Sequence, residues 1–95
     1  MPLLSDEQIG SALTSLPGWA RDGNTIRKTF AFTGFPEAVA FVTRLVPGAE
    51  AADHHPDLTI SYRRVTVSYT THSAGGLTEK DVAGARVADD QSGRV

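Results

Sequence analysis

Three histidines are the residues of this chain best suited to proton transfer. His54 and His55 are adjacent, between Asp53 and Pro56, and His72 follows in the second half of the sequence. An imidazole with an ordinary pKa of about 6.5 both donates and accepts protons at cellular pH. Two or three of them suit a reaction that needs an acid at one atom and a base at another. The histidines are therefore candidate general acids and bases.

Other uses of the histidine pair remain open at this point. Histidines near the C-terminus of a helix satisfy its last carbonyl groups, which would be a purely structural role. A zinc site would combine one histidine of the pair with His72 and a carboxylate such as Glu50 or Asp57, although the spacing fits no common zinc signature. A serine-based triad is disfavoured, because no serine has the sequence context of a nucleophile elbow.

The composition is that of an ordinary small globular domain. Of the 95 residues, 40% are hydrophobic and 21% are charged, and the formal net charge is -2. This charge argues against direct binding to nucleic acid or to an anionic membrane, which needs a basic excess. The absence of cysteine excludes disulfides and thiolate chemistry. We expect a single domain over residues 1–95.

No stretch of the sequence has the pattern of a targeting peptide or a membrane helix. The beginning, MPLLSDEQIG, lacks a basic segment followed by an apolar run. No apolar run approaches the roughly 18–20 residues that a membrane helix needs. We therefore expect a cytoplasmic protein.

Two capping boxes predict the first and third helices. Ser5 and Gln8 have the reciprocal spacing of this motif, and an apolar stripe at helical spacing follows them. Thr78 and Asp81 repeat the motif before a helix predicted at about 79–90. This position gives Asp81 a sufficient structural role.

The second helix is predicted to begin near Pro36, which is tolerated in a first turn. Its apolar stripe contains Pro47 and Gly48. Proline inside a helix costs roughly 3 kcal/mol. We therefore expect a kink or a short break there, with residues 49–53 continuing as another turn.

Two β-hairpins complete the predicted architecture. Residues 22–24, Asp-Gly-Asn, have turn chemistry and precede an alternating strand. Residues 59–62 and 65–71 are rich in β-branched and aromatic side chains and predict a second hairpin, with His72 at its end. The order α-β-β-α-β-β-α predicts an α+β two-layer sandwich, a four-stranded antiparallel sheet with helices on one face.

The spacing of several of these residues resembles the signature of the pterin-4a-carbinolamine dehydratase family. The matching positions are Glu50, His54, His55, Pro56, Tyr62, His72 and Asp81. The segments THSAGGLTEKD and LPGWARDGNTIRKTFAF are also similar to the family, so the resemblance covers roughly residues 5–90. Leu58 departs from the pattern, because the family commonly has an aromatic residue there. The implied fold is the one that the periodicity predicts.

The resemblance implies an enzyme, a 4a-hydroxytetrahydrobiopterin dehydratase of the hydro-lyase class. Such an enzyme converts 4a-hydroxytetrahydropterin to quinonoid dihydropterin and water, and so recycles the cofactor of aromatic amino-acid hydroxylases. The resemblance thus implies a functional link to a hydroxylase, a homo-oligomeric state (dimer or tetramer), and no cofactor or metal, because the pterin is the substrate. The alternative is a non-enzymatic binding, assembly or dimerisation partner with the same fold.

The resemblance also assigns roles to individual residues. His54, His55 and His72 are the implied catalytic residues, and we expect all three to converge on one pocket. We expect His54 and His55 to act as acid and base in some order, His72 to orient the pterin, and Glu50 to hydrogen-bond His54. The implied substrate-binding residues are Glu50, Asp53, His54, His55, Thr70, Thr71, His72 and Ser73.

Overall fold

The computed structural model describes residues 2–93, within which three α-helices pack on a four-stranded antiparallel sheet. The helices are α1 (Asp6–Leu13), α2 (Phe35–Ala52) and α3 (Glu79–Ser92). The strands are β1 (Ala20–Asp22), β2 (Thr25–Ala31), β3 (Asp57–Ser61) and β4 (Arg64–Tyr69), in the spatial order β1-β2-β4-β3. The predicted α+β fold is confirmed. Residues 1, 94 and 95 of the predicted domain lie outside the described residues.

The core lies on one face of the sheet, where alternating side chains of β2 and β4 are buried. Val65 and Val67 of β4 are completely buried, and Phe30 of β2 pairs with Val65 across the ladder. Phe41 of α2 is also completely buried, with its ring centroid 4.9 Å from that of Phe30 and 5.0 Å from that of Phe32. This aromatic burial holds the first half of α2 against the sheet, and the histidine pair follows the end of the same helix.

Helix α2 continues through Pro47, so of the predicted kink or short break, the break is wrong. Proline removes one helical hydrogen bond and clashes with the preceding turn, but packing on both sides of Pro47 opposes this local cost. Leu45 is buried in the core, and Gly48 lies so close to α3 that an added Cβ would be 3.4 Å from Val87 Cγ1. Tertiary contacts therefore hold the helix together where its sequence favours an interruption.

Asp53 ends α2 and sets the direction in which the histidine pair leaves the helix. Its φ of 50° and ψ of 45° are left-handed, a conformation that Asp tolerates better than most residues. The backbone N–H groups of Asp53 and His54 both bond to Ala49 O, which closes the last helical turn. The chain therefore turns sharply between the end of α2 and the histidines.

The second hairpin is shifted from its predicted position. Its strands are Asp57–Ser61 and Arg64–Tyr69, so β4 ends before Thr70 and His72 lies outside the sheet, at the start of a 3-10 turn (His72–Ala74). The backbone of Thr71 bonds in both directions with Gly76, which closes the loop that contains this turn. The sequence pattern alone cannot show where the ladder ends, because residues 70 and 71 have strand-type side chains.

The capping box of α1 supports a first prediction. Ser5 Oγ accepts a hydrogen bond from Gln8 N at 3.1 Å, and Gln8 Oε1 accepts one from Ser5 N at 2.8 Å. We expect Ser5→Ala to lower the free energy of unfolding by about 1 kcal/mol in urea denaturation, because the Gln8 N–H at the helix start loses its side-chain acceptor. Ser11→Ala, at an exposed position within the same helix, is the control. Equal stability of the two variants would contradict the prediction.

Candidate active site

A buried carboxylate holds the first histidine of the pair. His54 Nε2 lies 2.7 Å from Asp81 Oδ1, and the two side chains are 11% and 0% exposed. Because a carboxylate only accepts hydrogen bonds, Nε2–H is the donor. In the neutral ring, Nδ1 is then the nitrogen that can accept a proton from another molecule.

Asp81 serves the fold and the histidine at the same time. Its Oδ2 accepts the N–H of Thr78 at 2.9 Å, which completes the predicted capping box, and the hydroxyl of Thr71 at 2.8 Å. The hydroxyls of Thr71 and Thr78 lie 2.9 Å apart. The structural role predicted for Asp81 is therefore present, and the carboxylate in addition connects the end of α2 to the segment that carries His72. Sequence reasoning underestimated this residue.

Glu50 pairs with the second histidine, not with the first as predicted. Its Oε2 lies 2.5 Å from His55 Nε2, and both side chains are exposed. The turn at Asp53 brings His55 back toward the last turn of α2, while His54 points to α3. A contact between two side chains this exposed competes with water and contributes little to stability.

His54 and His55 line two different depressions on either side of α2. The first, of about 160 Å³, lies between α2 and α3 and is bordered by His54 and Tyr69. Its walls are formed mainly by small residues: Gly48, Ala49, Ala52, Ala83 and Gly84. The second, of about 260 Å³, is bordered by His55, Pro56 and Leu58, the position at which the family commonly has an aromatic residue. The pair does not share one pocket.

The other predicted site residues lie at the end of α2 and in the segment 70–73. His72 and Ser73 are exposed on the 3-10 turn, Thr70 is half-buried before it, and Asp53 is exposed at the end of α2. Thr71 is buried, and its hydroxyl is held by Asp81. The structure thus joins the two predicted substrate-binding segments through one carboxylate, but His72 makes no described contact with His54 or His55.

Tyr69 is a residue of the site that sequence reasoning missed. Its ring lies nearly parallel to that of His54, at 21°, with the centroids 5.8 Å apart. Burial, with a smaller contribution from the Asp81 charge, raises the pKa of Tyr69 to about 12. The alternation of residues along β4 predicted that Tyr69 shares a face of the sheet with Val65 and Val67. It did not predict that the ring would pack beside His54. No signal in the sequence pointed to this contact.

The raised pKa of Tyr69 gives a second prediction. The unfolded chain ionises its tyrosines near pH 10, whereas the folded state keeps Tyr69 neutral until about pH 12. The resulting stabilisation is complete below pH 10 and is lost between pH 10 and 12, by up to about 2–3 kcal/mol. We therefore expect the unfolding free energy of wild type to fall relative to Tyr69→Phe between pH 9 and 11.5. A constant difference over this range would contradict the assignment.

A metal site and a membrane-spanning helix each place requirements on the described residues. Within residues 2–93, no group of three His, Cys, Asp or Glu side chains is arranged to hold a metal ion. None of the helices in that part of the chain is long and apolar enough to cross a membrane.

The chain is similar to proteins of a single family along almost its whole length. A family model described as Pterin 4 alpha carbinolamine dehydratase matches residues 2–91. A provisionally named pterin-4-alpha-carbinolamine dehydratase of Mycobacteroides abscessus is 47% identical over 94 residues, covering 99% of this chain and 100% of the relative. A relative of the same name from Roseiflexus sp. (strain RS-1) is 58% identical over 78 residues, covering 82% of this chain and 84% of the relative.

Solved structures are similar as well. The crystal structure of a transcriptional coactivator/pterin dehydratase from Brucella melitensis has a TM-score of 0.92 at 33% identity, covering 96% of this chain and 99% of that one. A pterin dehydratase-like protein described as a RuBisCO assembly factor in the alpha-carboxysome has a TM-score of 0.64 at 22% identity, covering 79% and 87%. That second likeness concerns the fold alone. From the family match and the full-length relatives, this chain belongs to the pterin-4-alpha-carbinolamine dehydratase family.

Proposed function

We propose that this protein is a dehydratase that converts 4a-hydroxytetrahydropterin to quinonoid dihydropterin and water. The observation that supports this most is His54, which a buried carboxylate holds through Nε2 while an open depression borders the residue. A group held in this way suits a general base, because Asp81 stabilises the imidazolium that forms when the ring takes a proton.

The reaction removes one proton from N5 and the hydroxyl from C4a of the pterin. We propose that His54 Nδ1 takes the N5 proton and that His55 donates a proton to the departing hydroxyl, which leaves as water. The C4a–O bond breaks as a double bond forms between N5 and C4a, so atoms and charge balance. In this structure His55 lines a different depression from His54, so this role requires the His55 ring to leave Glu50 and turn toward a pterin bound beside His54. The pairing of His55 with Glu50 is exposed and weak, which permits that turn.

We propose that the substrate is bound by two segments that Asp81 connects, namely the end of α2 and residues 70–73. Asp53, Thr70 and Ser73 present groups that match the polar edge of a pterin, and His72 would orient it. Thr71 uses its hydroxyl on Asp81 and its backbone on Gly76, so we propose that it acts by holding Asp81.

We further propose the conditions under which the enzyme works. The enzyme would need no cofactor or metal, would work in the cytoplasm, and would serve an aromatic amino-acid hydroxylase. A homo-oligomer is supported by strand β3, which lies at the edge of the sheet and carries the exposed side chains Leu58 and Ile60. Light scattering coupled to size exclusion tests the oligomeric state.

Stopped-flow decay of 4a-hydroxytetrahydropterin tests the function directly. We expect the protein to accelerate the decay above the uncatalysed rate, with saturation in substrate. No acceleration at any protein concentration would overturn the proposal. It would favour the alternative, a binding or assembly role, which draws support from the similar transcriptional coactivator/pterin dehydratase of Brucella melitensis.

A further inference from the structure

We propose that Tyr69 is a positioning residue of this site: its ring fixes the plane of the His54 imidazole, in a space that exists because residue 84 is a glycine. The inference about activity rests on the proposed function. The inference about the orientation of His54 stands on the contacts alone.

A single hydrogen bond does not orient an imidazole. The contact between His54 Nε2 and Asp81 Oδ1 holds one atom of the ring but restrains rotation about the Cβ–Cγ bond only weakly, because Nε2 lies close to the axis of that bond. The Tyr69 ring is an offset, nearly parallel neighbour of the imidazole, with the centroids 5.8 Å apart, and it limits that rotation from one side. Together, the two contacts determine where Nδ1 points, and a general base needs this direction to be fixed.

Gly84 provides the space that Tyr69 occupies. An ideal Cβ at Gly84 would lie 2.6 Å from both Cε1 and Cζ of Tyr69, closer than real Cβ contacts come. Glycine inside a helix is less favourable than alanine, and Gly84 lies in the interior of α3, away from both caps. The close approach of the tyrosine ring is the physical reason for a glycine at this position.

Tyr69 has a second aromatic neighbour. Trp19 packs against Tyr69 with ring centroids 6.2 Å apart, and Trp19 Nε1 donates to Asp89 of α3 at 3.0 Å. Tyr69 is therefore confined by Trp19, by α3 and by His54. Within residues 2–93, Asp81 is hydrogen-bonded to His54, and Lys80 of α3 and Tyr69 of β4 line the same depression as His54.

Four variants test this arrangement: Tyr69→Phe, Tyr69→Leu, Gly84→Ala and the double variant that combines Tyr69→Leu with Gly84→Ala. We expect Tyr69→Leu and Gly84→Ala each to lower kcat by about 10- to 100-fold with a smaller change in KM, because the base loses its orientation. Tyr69→Phe keeps the ring and should stay within about 3-fold of wild type by the same argument. When Tyr69→Leu is already present, adding Gly84→Ala should have little further effect, since the clashing ring is gone.

Gly10→Ala is the matched control for a glycine replaced within a helix. An added Cβ at Gly10 of α1 has no neighbour within 4 Å. We expect this variant to keep wild-type kcat and to be at least as stable as wild type. Circular dichroism and thermal melting monitor folding of every variant, and Tyr69→Leu, which adds no atom to the contact, remains informative if Gly84→Ala does not fold.

Nuclear magnetic resonance of the His54 ring protons gives a readout that does not depend on activity. The tyrosine ring current should shift these protons in wild type and Tyr69→Phe, and the shift should disappear in Tyr69→Leu. Unchanged shifts in Tyr69→Leu, or a kcat loss as large in Tyr69→Phe as in Tyr69→Leu, would overturn the inference. If wild type lacks dehydratase activity but shows the shifts, the proposed function fails and the positioning of His54 stands.

Discussion

His54→Ala is expected to lower kcat for dehydration by about 100- to 10,000-fold, the range over which a general acid or base contributes to an enzymatic reaction. The variant removes the imidazole that Asp81 holds at 2.7 Å and leaves the rest of the hydrogen-bond network in place. Stopped-flow decay of 4a-hydroxytetrahydropterin under single-turnover conditions measures the chemical step separately from product release.

His55→Ala is the informative comparison, because it removes an imidazole next to the first one in sequence. We expect its kcat to fall as well, with the loss partly recovered by small added acids, since the exposed position of His55 leaves room for them. A His54→Ala variant with wild-type kcat would refute the assignment of His54 as the base. Wild-type kcat in His55→Ala would refute only the role of His55.

Asp81→Ala should be the most destabilising substitution at this site. It removes the acceptor from His54, from the Thr71 hydroxyl and from the Thr78 N–H, all in a completely buried position. A buried donor that loses its acceptor costs about 1–3 kcal/mol, and three donors lose theirs in this variant. A small domain has only about 5–15 kcal/mol of stability, so a large part of it would be lost. Urea denaturation of the variant and of wild type measures the difference.

Two further substitutions separate the contributions of Asp81. Asp81→Asn keeps an acceptor oxygen, so it should lose less stability than Asp81→Ala but still lose activity, because a neutral amide does not stabilise the imidazolium. Glu79→Ala removes an exposed carboxylate from the same first turn of α3 and should cost less than about 1 kcal/mol. An Asp81→Ala protein within about 1 kcal/mol of wild type would contradict the central place of this carboxylate.

Asp81 has two roles, because it caps α3 and also binds His54. The candidate site therefore depends on the fold. The carboxylate at the third position of α3 closes a capping box, which is a local event, and the same group holds His54 across 27 residues of sequence. The His54 imidazole therefore becomes oriented only when α2, β4 and α3 have assembled. We expect substitutions at the start of α3 to change activity and stability together.

The sequence alone was sufficient for the parts of this protein that depend on near neighbours in the chain. The capping boxes of α1 and α3 use residues three apart, and the turn at residues 22–24 follows from backbone preferences. Alternation along β4 predicted which side chains enter the core. Histidine chemistry and spacing pointed to the segments around His54 and His72 as the candidate site.

Tertiary structure alone decided how the site residues pair. Glu50 meets His55 because Asp53 adopts a left-handed conformation, and His54 meets Asp81 because α3 packs beside the end of α2. Helix α2 continues through Pro47 because packing outweighs a local preference. Tyr69 reaches His54 through the space left by Gly84. Each of these features depends either on contacts between residues far apart in sequence or on one backbone angle. Long-range contacts and single backbone angles leave no periodic pattern in a sequence.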